Sequence, residues 1–116
     1  MINAYEKRCA FTGLQFINGR GRAEVQAAHI KPVEHKGPDH IQNGLALSGT
    51  IHWMFDRGLV SLSNDLDILV SRKVNDPERV WGMMSATRKA WVPNDSRHRP
   101  HPDFLGWHRY YHGIEA

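Results

Sequence analysis

The pattern of apolar and polar residues predicts several short strands in the first half of the chain. Residues 24–31 are typical of a strand that the following proline stops, and residues 44–48 of a second short strand. Residues 8–13 are expected to form a further short strand that ends at a glycine. The Gly- and Arg-rich residues 18–22 and the Pro-containing residues 33–43 predict loops.

A helix is expected directly after the strand at residues 44–48. Ser48 or Thr50 can cap its start, and Gly58 suits its end. Apolar residues recur at helical spacing and form the expected buried stripe, namely Ile51, Met54, Phe55 and Leu59.

Residues 59–63 and 66–72 read as a β-hairpin around Asn64-Asp65. Residues 77–87 predict a helix that begins at a proline. After a basic, Pro- and His-rich loop at 93–102, residues 103–112 predict a last helix. Three aromatic side chains are expected on one face of it, Phe104, Trp107 and Tyr111. The overall expectation is an α+β fold.

The length and composition indicate one small domain spanning residues 1–116. The chain has 116 residues, of which 41% are hydrophobic, so it can build a modest core and is not typical of disorder. No apolar run approaches the roughly 20 residues that cross a bilayer, and the first residues lack the apolar stretch of a signal peptide. A cytoplasmic protein is therefore expected. The lone Cys9 cannot form an internal disulfide and is expected to be buried.

The formal net charge is +3, with a pI of about 9.3, which permits a nucleic-acid partner without requiring one. The eight histidines are more informative. Histidine in this quantity indicates metal binding, proton transfer or anion binding.

Four polar residues combine into a pattern with catalytic potential: His29, Asn43, His52 and Asp56. They are predicted to lie in strand, loop and helix in that order. His52 and Asp56 are four positions apart, so they share one helix face and can converge on one ion. Imidazole plus carboxylate suits Mg²⁺, Mn²⁺, Zn²⁺ or Ni²⁺. His29 is left to act as a base for phosphodiester hydrolysis.

Taken singly, each of these residues has an ordinary structural explanation. A His–Asp pair on a helix is commonly a surface pair or a cap. Asn-Gly is commonly a turn, and a histidine after two alanines is commonly packed or exposed. The prediction therefore depends on all four residues together, in this order.

Four segments of the chain resemble HNH endonucleases, in the branch found in bacterial restriction-type proteins. They are Cys9-Ala-Phe-Thr-Gly13, Ala27-Ala28-His29-Ile30-Lys31-Pro32, Asn43-Gly44-Leu45-Ala46-Leu47 and His52-Trp53-Met54-Phe55-Asp56-Arg57-Gly58. The later Ser71-Arg72, Arg99-Pro100 and Trp107-His108-Arg109 resemble the same branch.

The resemblance implies a ββα-metal (His-Me finger) core, extended here by a β-hairpin and C-terminal helices. It implies that His29 is the general base and that Asn43 braces the loop and orients His29. His52 would be a metal ligand and catalytic residue, with Asp56 the second ligand. The cofactor would be one divalent ion.

Two features depart from many HNH enzymes. Ala28 occupies the position before the base, where many relatives have a further metal ligand, so water, phosphate oxygens or His29 itself would complete the shell. The chain also lacks the four cysteines with which many relatives bind zinc.

Basic residues near the motif and in the 93–102 loop are expected to contact phosphates, namely Arg20, Arg22, Lys31, Lys36, Arg97 and Arg99. Runs of this kind are also common on plain solvated surface. His108 and His112, four apart in the last helix, could form a second metal site. A packed or hydrogen-bonded His108 and an exposed His112 are the favoured interpretation.

The sequence thus predicts a metal-dependent, restriction-type endonuclease that acts on duplex DNA. One alternative is a catalytically inactive DNA-binding module of the same fold, and another is a zinc-stabilised structural domain. The chain is also compatible with the C-terminal part of a longer protein and with a homodimer.

Overall fold

Two antiparallel strands and the helix that follows them form the centre of the molecule. The computed structural model, which describes residues 1–115, pairs β1 (Gln26–His29) with β2 (Gly44–Leu47) and places His29 opposite Gly44. Helix α1 (Gly49–Asp56) follows β2 after one residue. The ββα unit and the α+β class expected from the sequence are both confirmed.

The rest of the chain adds a hairpin and two helices. The hairpin pairs β3 (Val60–Leu62) with β4 (Ile68–Val70), as predicted. Helices α2 (Pro77–Met83) and α3 (Pro102–His112) follow. Three short 3₁₀ turns lie in segments expected to be loops, at Val33–His35, Ile41–Asn43 and Ser96–His98.

The core lies where α1 and α3 pack against the strands. Helix α1 contacts β1 and β3, and α3 contacts β3. The Phe11 and Phe55 rings meet edge to face, with centroids 6.1 Å apart. Cys9 is buried, as expected. The largest fully buried apolar side chains are Tyr5, Phe11, Phe55, Ile30, Leu45, Leu47, Ile51, Leu62 and Leu105.

The prediction of a strand at residues 8–13 is wrong, because this segment forms a turn. Cys9, Ala10 and Phe11 are buried one after another, without the alternation of a strand. The backbone N–H of Ala10 donates to Ala46, and the Ala10 carbonyl accepts from Trp91, so the segment joins two parts of the fold by single hydrogen bonds. Gly13, with φ of +74°, ends the turn.

Helix α2 ends at Met83, four residues earlier than predicted, because Met84 is extended and the N–H of Ser85 donates to the carbonyl of Phe11. Helix α3 has the predicted extent, but its buried residues are Leu105 and His108. The predicted aromatic face is only partly covered, and Tyr111 is 55% exposed.

His108 joins α3 to α1 and β3 in the core. Its Nε2 lies 2.8 Å from the Phe55 carbonyl oxygen and its Nδ1 lies 2.7 Å from the Ser61 hydroxyl. Because a carbonyl only accepts, Nε2 carries the proton and Nδ1 accepts from Ser61. The imidazole also stacks on the Phe55 ring at 3.9 Å. With both nitrogens used, His108 is a structural residue, as favoured from the sequence.

Burial lowers the pKa of His108 from 6.5 to about 4. Between these two pH values the unfolded chain binds a proton that the folded protein does not. The free energy of unfolding should therefore fall as the pH is lowered from about 6.5 to about 4, with this group contributing up to about 3 kcal/mol. Urea denaturation across this pH range, on the unmodified protein and on His108→Gln, measures the contribution.

Glutamine can donate to Phe55 and accept from Ser61, so the variant should fold and show a weaker pH dependence. An equally steep dependence in both proteins would contradict the assignment. NMR titration of the His108 ring is a second test, and a midpoint near 6.5 would also contradict it.

Asn43 is fully buried and braces the connection between β1 and β2. Its Oδ1 accepts from the Lys31 N–H at 2.9 Å, and its Nδ2 donates to the carbonyls of Lys31 and Pro38 at 3.0 and 2.8 Å. The Asn43 carbonyl also accepts from the Ile30 N–H. One side chain thus holds both ends of the loop that leaves His29.

Gly37 allows this loop to fold back on itself. A Cβ at Gly37 would lie 1.7 Å from the Lys31 carbonyl oxygen, so no other residue fits without a backbone shift. The N–H of Gly37 donates to the Pro32 carbonyl at 2.9 Å. The loop is therefore closed by contacts between backbone atoms.

Replacing Asn43 should destabilise the protein and loosen residues 31–38. Asn43→Ala leaves buried backbone groups without partners, at a cost of about 1–3 kcal/mol each. Asn43→Asp should also destabilise, because its second oxygen would face two carbonyls. Urea denaturation gives the free energy, and hydrogen exchange of the Lys31 N–H reports on the loop.

The matched control is Asn75→Ala, at an exposed position. Equal stabilities for the Asn43 and Asn75 variants would show that the three hydrogen bonds contribute nothing measurable.

Candidate active site

A cavity of about 470 Å³ collects most of the predicted catalytic residues. His29, His52 and Asp56 line it together. Five of the eight histidines of the chain lie in its walls. Residues from β1, α1 and α3 contribute, together with the turn after β1, and the main polar and aromatic ones are His29, His35, His52, Asp56, Trp107, His108, Tyr111 and His112.

The strand directs alternate residues into this cavity, and the helix directs two residues that are one turn apart. Along β1, Ala27 and His29 line the cavity, whereas Ala28 lies opposite Leu45 and is 1% exposed in the core. Position 28 therefore faces away from the cavity in this structure. On α1, His52 and Asp56 are one helical turn apart and face the cavity side by side.

His52 and Asp56 form a pair whose geometry suits a cation. The Nε2 of His52 lies 3.3 Å from the Asp56 Oδ2. The other ring nitrogen, Nδ1, lies 2.7 Å from the Gln26 Oε1, which only accepts, so Nδ1 carries the proton of the neutral ring. Nε2 then directs a lone pair at a carboxylate oxygen, an arrangement that a proton or a metal ion between them would stabilise.

His29 has one nitrogen that the protein leaves unpaired. The ring is partly exposed, yet its Nε2 is buried and has no hydrogen-bond partner among residues 1–115. The nearest acidic oxygen, Oδ1 of Asp39, lies 3.5 Å away, too far for a good hydrogen bond. An unpartnered buried nitrogen is costly, which is typical of an atom that serves a ligand or a reaction.

Asn43 lies outside the cavity walls and acts on them through the backbone. Its three side-chain hydrogen bonds go to Lys31 and Pro38, and none goes to His29. Instead it holds Lys31, two residues beyond His29, and its carbonyl pairs with Ile30. These hydrogen bonds connect Asn43 to the loop, and the orientation of His29 by Asn43 stays a prediction.

A divalent ion fits the His52–Asp56 pair in chemistry and in spacing. Donors that each bind one ion at about 2.1 Å can lie at most about 4.2 Å apart, and the observed separation is 3.3 Å. Among residues 1–115, no group of three His, Cys, Asp or Glu side chains is placed to hold an ion. The protein would therefore supply two ligands through these side chains.

Sequence reasoning missed residues in the cavity wall and beside it. Gln26, which fixes the ring of His52, looks like an ordinary exposed strand residue. His35 packs on Trp107 and Tyr111, with ring centroids 5.2 and 4.8 Å away, and these rings form one wall. Only the high histidine content hinted at such a cluster.

His112 is half-buried, although an exposed side chain was expected. Its ring lies against Gly58, where a Cβ would come within 2.4 Å of it. Burial and the Lys73 charge lower the pKa of His112, and the Asp56 carboxylate acts in the opposite direction. The contact between His112 and Gly58 brings the end of α3 next to the end of α1.

The predicted phosphate-contacting residues lie in different settings. The Lys31 ammonium lies 5.8 Å from the centre of the Trp107 ring, beside the cavity, and Lys36 is exposed in the same loop. Arg20 and Arg22 are exposed, and Arg22 lines a neighbouring groove that also includes Gln26.

The two arginines of the 93–102 loop are engaged within the protein. Arg97 forms a two-pronged pair with Asp95, at 3.1 and 2.8 Å. Arg99 donates to the carbonyls of Pro93 and Asn94 at 2.7 and 3.0 Å. The Asp95 carboxylate offsets the charge of Arg97, whereas Arg99 keeps its charge but has part of its guanidinium engaged within the loop. Among residues 1–115, no helix has the length and apolar character needed to cross a membrane.

Comparisons with known proteins agree with this geometry. Residues 9–63 match the family model of the HNH endonucleases. Comparison with curated proteins gave no match. A solved structure, described as a modification-dependent TagI restriction endonuclease, superposes with a TM-score of 0.70 and 25% sequence identity over 95% of this chain. The chain spans 35% of the length of that structure.

The matched segment contains β1, β2 and α1, and it includes His29, Asn43, His52 and Asp56. The ββα unit thus has the fold of the ββα-metal core that the sequence predicted. Residues 9–63 of this chain belong to the HNH endonuclease family.

Proposed function

We propose that this chain is a metal-dependent endonuclease that hydrolyses phosphodiester bonds in duplex DNA. The observation that carries the proposal is that the walls of one cavity include both His29, with its unpartnered Nε2, and the His52–Asp56 pair. A candidate base and a candidate cation site in the same cavity are the two parts that phosphodiester hydrolysis requires.

His29 accepts a proton from a water molecule as the water oxygen attacks phosphorus. The bond between phosphorus and the leaving oxygen breaks, and that oxygen takes up a proton from solvent. One divalent ion on His52 and Asp56, which could be Mg²⁺, Mn²⁺, Ni²⁺ or Zn²⁺, would stabilise the charge on the scissile phosphate and the leaving oxygen.

Other residues of the chain hold these groups in place. Gln26 fixes the ring of His52 through Nδ1, which keeps Nε2 available as a ligand. Asn43 fixes the loop after β1 and with it the position of His29. Catalytic positioning therefore depends on hydrogen bonds from residues that do not touch the substrate.

The basic residues support DNA as the substrate. Lys31 and Lys36 follow His29 along the chain, and Arg20 and Arg22 precede it in an exposed loop. Lys31 adjoins the cavity, so it is placed to meet a phosphate near the scissile one. Arg97 and Arg99 are proposed as weaker contacts because of their internal pairing.

We further propose that residues 1–116 form one nuclease domain of a cytoplasmic, restriction-type protein. The solved relative is described as a modification-dependent restriction endonuclease, and this chain matches about a third of it. One cavity cuts one strand at a time, so cleavage of both strands favours a homodimer.

A second candidate is an HNH-fold DNA-binding module without catalytic activity. Among residues 1–115, no group of three acidic or imidazole side chains is placed to hold an ion. The candidate site has only His52 and Asp56, and Ala28 adds no ligand, which favours this alternative. Plasmid nicking across a panel of divalent metals, with EDTA as the control, separates the two functions. Metal that stabilises folding without supporting cleavage would instead indicate a structural zinc domain.

His29→Ala should abolish cleavage while fold and DNA affinity persist. Loss of a general base typically lowers the rate by about 10²–10⁴, and a partly exposed ring at a strand end contributes little to packing. Plasmid nicking measures the rate, and circular dichroism checks the fold. His98→Ala, which lies outside the cavity, should cleave normally. Cleavage by His29→Ala within a few-fold of the unmodified protein would refute the assignment.

His52→Ala and Asp56→Asn should each weaken the binding of Mn²⁺ by about 10-fold or more, because a two-ligand site cannot replace a lost ligand. Calorimetric titration measures the affinity. A control is Asp103→Asn, which alters a second His–Asp pair, with His101 at 3.8 Å, outside the cavity. If both cavity variants bind Mn²⁺ like the control, the ion binds elsewhere.

A further inference from the structure

Helix α1 presents three different faces. Its apolar residues pack in the core, and His52 and Asp56 line the cavity. The third face points to solvent at helical spacing and carries three exposed residues, Thr50, Trp53 and Arg57. This solvent face lies beside the cavity face on the same short helix.

Trp53 and Arg57 form a stacked pair on this face. Trp53 is 54% exposed, which leaves a large aromatic surface in contact with water. The Arg57 Cζ lies 4.1 Å from the ring centre, and its Nη1 donates to the Trp53 carbonyl at 3.1 Å. The guanidinium is thus held against the indole, and its other N–H groups have no partner among residues 1–115.

Positive charge continues beyond the end of α1. The Ser71 N–H donates to the Leu59 carbonyl at 2.9 Å, which brings the exposed Arg72 and Lys73 to this end of the helix. Arg72 and Lys73 line a groove together with Gly113, Ile114 and Glu115, the residues that directly follow His112 of the cavity wall. These two cations therefore lie close to the cavity.

We infer that the Trp53–Arg57 pair binds the backbone of duplex DNA next to the scissile phosphate. The location of the scissile phosphate rests on the proposed function. The pre-positioned guanidinium suits a phosphate, and the indole suits the apolar face of the neighbouring deoxyribose. Charge complementarity favours DNA, because the aromatic group is accompanied by three cations and no other large apolar side chain of α1 is exposed.

The test compares Arg57→Gln with Arg88→Gln. Arg88 is exposed and stacks on Trp81 at the same 4.1 Å, outside the cavity, so it is a matched control. Fluorescence anisotropy of a labelled duplex, at several salt concentrations without divalent metal, gives the binding constants. Arg57→Gln should lower the slope of log K against log salt by about 0.9, which is one phosphate contact. Arg88→Gln should keep the full slope, and equal slopes for both variants would overturn the inference.

Trp53→Ala tests the aromatic half of the pair. It should weaken duplex binding several-fold, whereas Tyr110→Ala, which removes an 89% exposed aromatic from α3, should bind normally. Both side chains are largely outside the core, so the variants should fold, which circular dichroism checks. Normal binding by Trp53→Ala would overturn the indole's role.

Hydrolysis of bis(p-nitrophenyl) phosphate by the unmodified protein with Mn²⁺ tests the proposed function separately. If this small diester is not hydrolysed but DNA binding depends on Arg57, the inferred DNA contact of the Trp53–Arg57 pair is supported and the catalytic proposal fails. If the diester is hydrolysed while Arg57→Gln binds DNA like Arg88→Gln, the inferred contact is overturned and the catalytic proposal stands. Failure of the unmodified protein to bind duplex DNA would also overturn the inferred contact.

Discussion

The buried amide of Asn43 is the constraint on which the path of the loop after His29 depends. The chain between β1 and β2 leaves the ladder at His29 and returns at Gly44, and its backbone groups have no strand to pair with. Asn43 supplies partners to Lys31 on the outgoing side and to Pro38 on the returning side. Because a buried amide can do this in one orientation only, the loop adopts one path, and the strand end before it is fixed.

The second constraint is the division of α1 into faces of different chemistry. A helix of eight residues can dock by three buried side chains and still present two others to a cavity and a further face to solvent. The orientation of α1 is set on its core side by Phe55, whose ring and carbonyl both contact His108. The direction of the helix face that carries His52 and Asp56 is therefore fixed by core packing, and a hydrogen bond to Gln26 on the neighbouring strand orients the His52 ring.

Much of the site could be predicted from the sequence, because local rules determine it. The spacing of His52 and Asp56 placed both on one helix face, and the strand before His29 followed from composition and the proline after it. Residues 8–13 could not be predicted, since their hydrogen bonds go to Ala46 and Trp91, far along the chain. Gln26 and His35 were missed, and the burial of His112 was not expected, for the same reason. The contact of Gln26 with α1 and the packing of α3 against the turn after β1 join residues far apart in the chain, which no local pattern encodes.

The contact between Gly58 and His112 has a consequence for how portable the nuclease motif is. The family match ends at residue 63, whereas the wall formed by Trp107, Tyr111 and His112 belongs to α3, far downstream. Transplanting the matched segment alone into another scaffold would leave the Phe55 carbonyl without its donor and one side of the cavity open to water. Any side chain at position 58 would collide with the His112 ring and push α3 away from α1. The HNH motif and the last helix thus form one packing unit, and the motif depends on a helix that its own sequence does not contain.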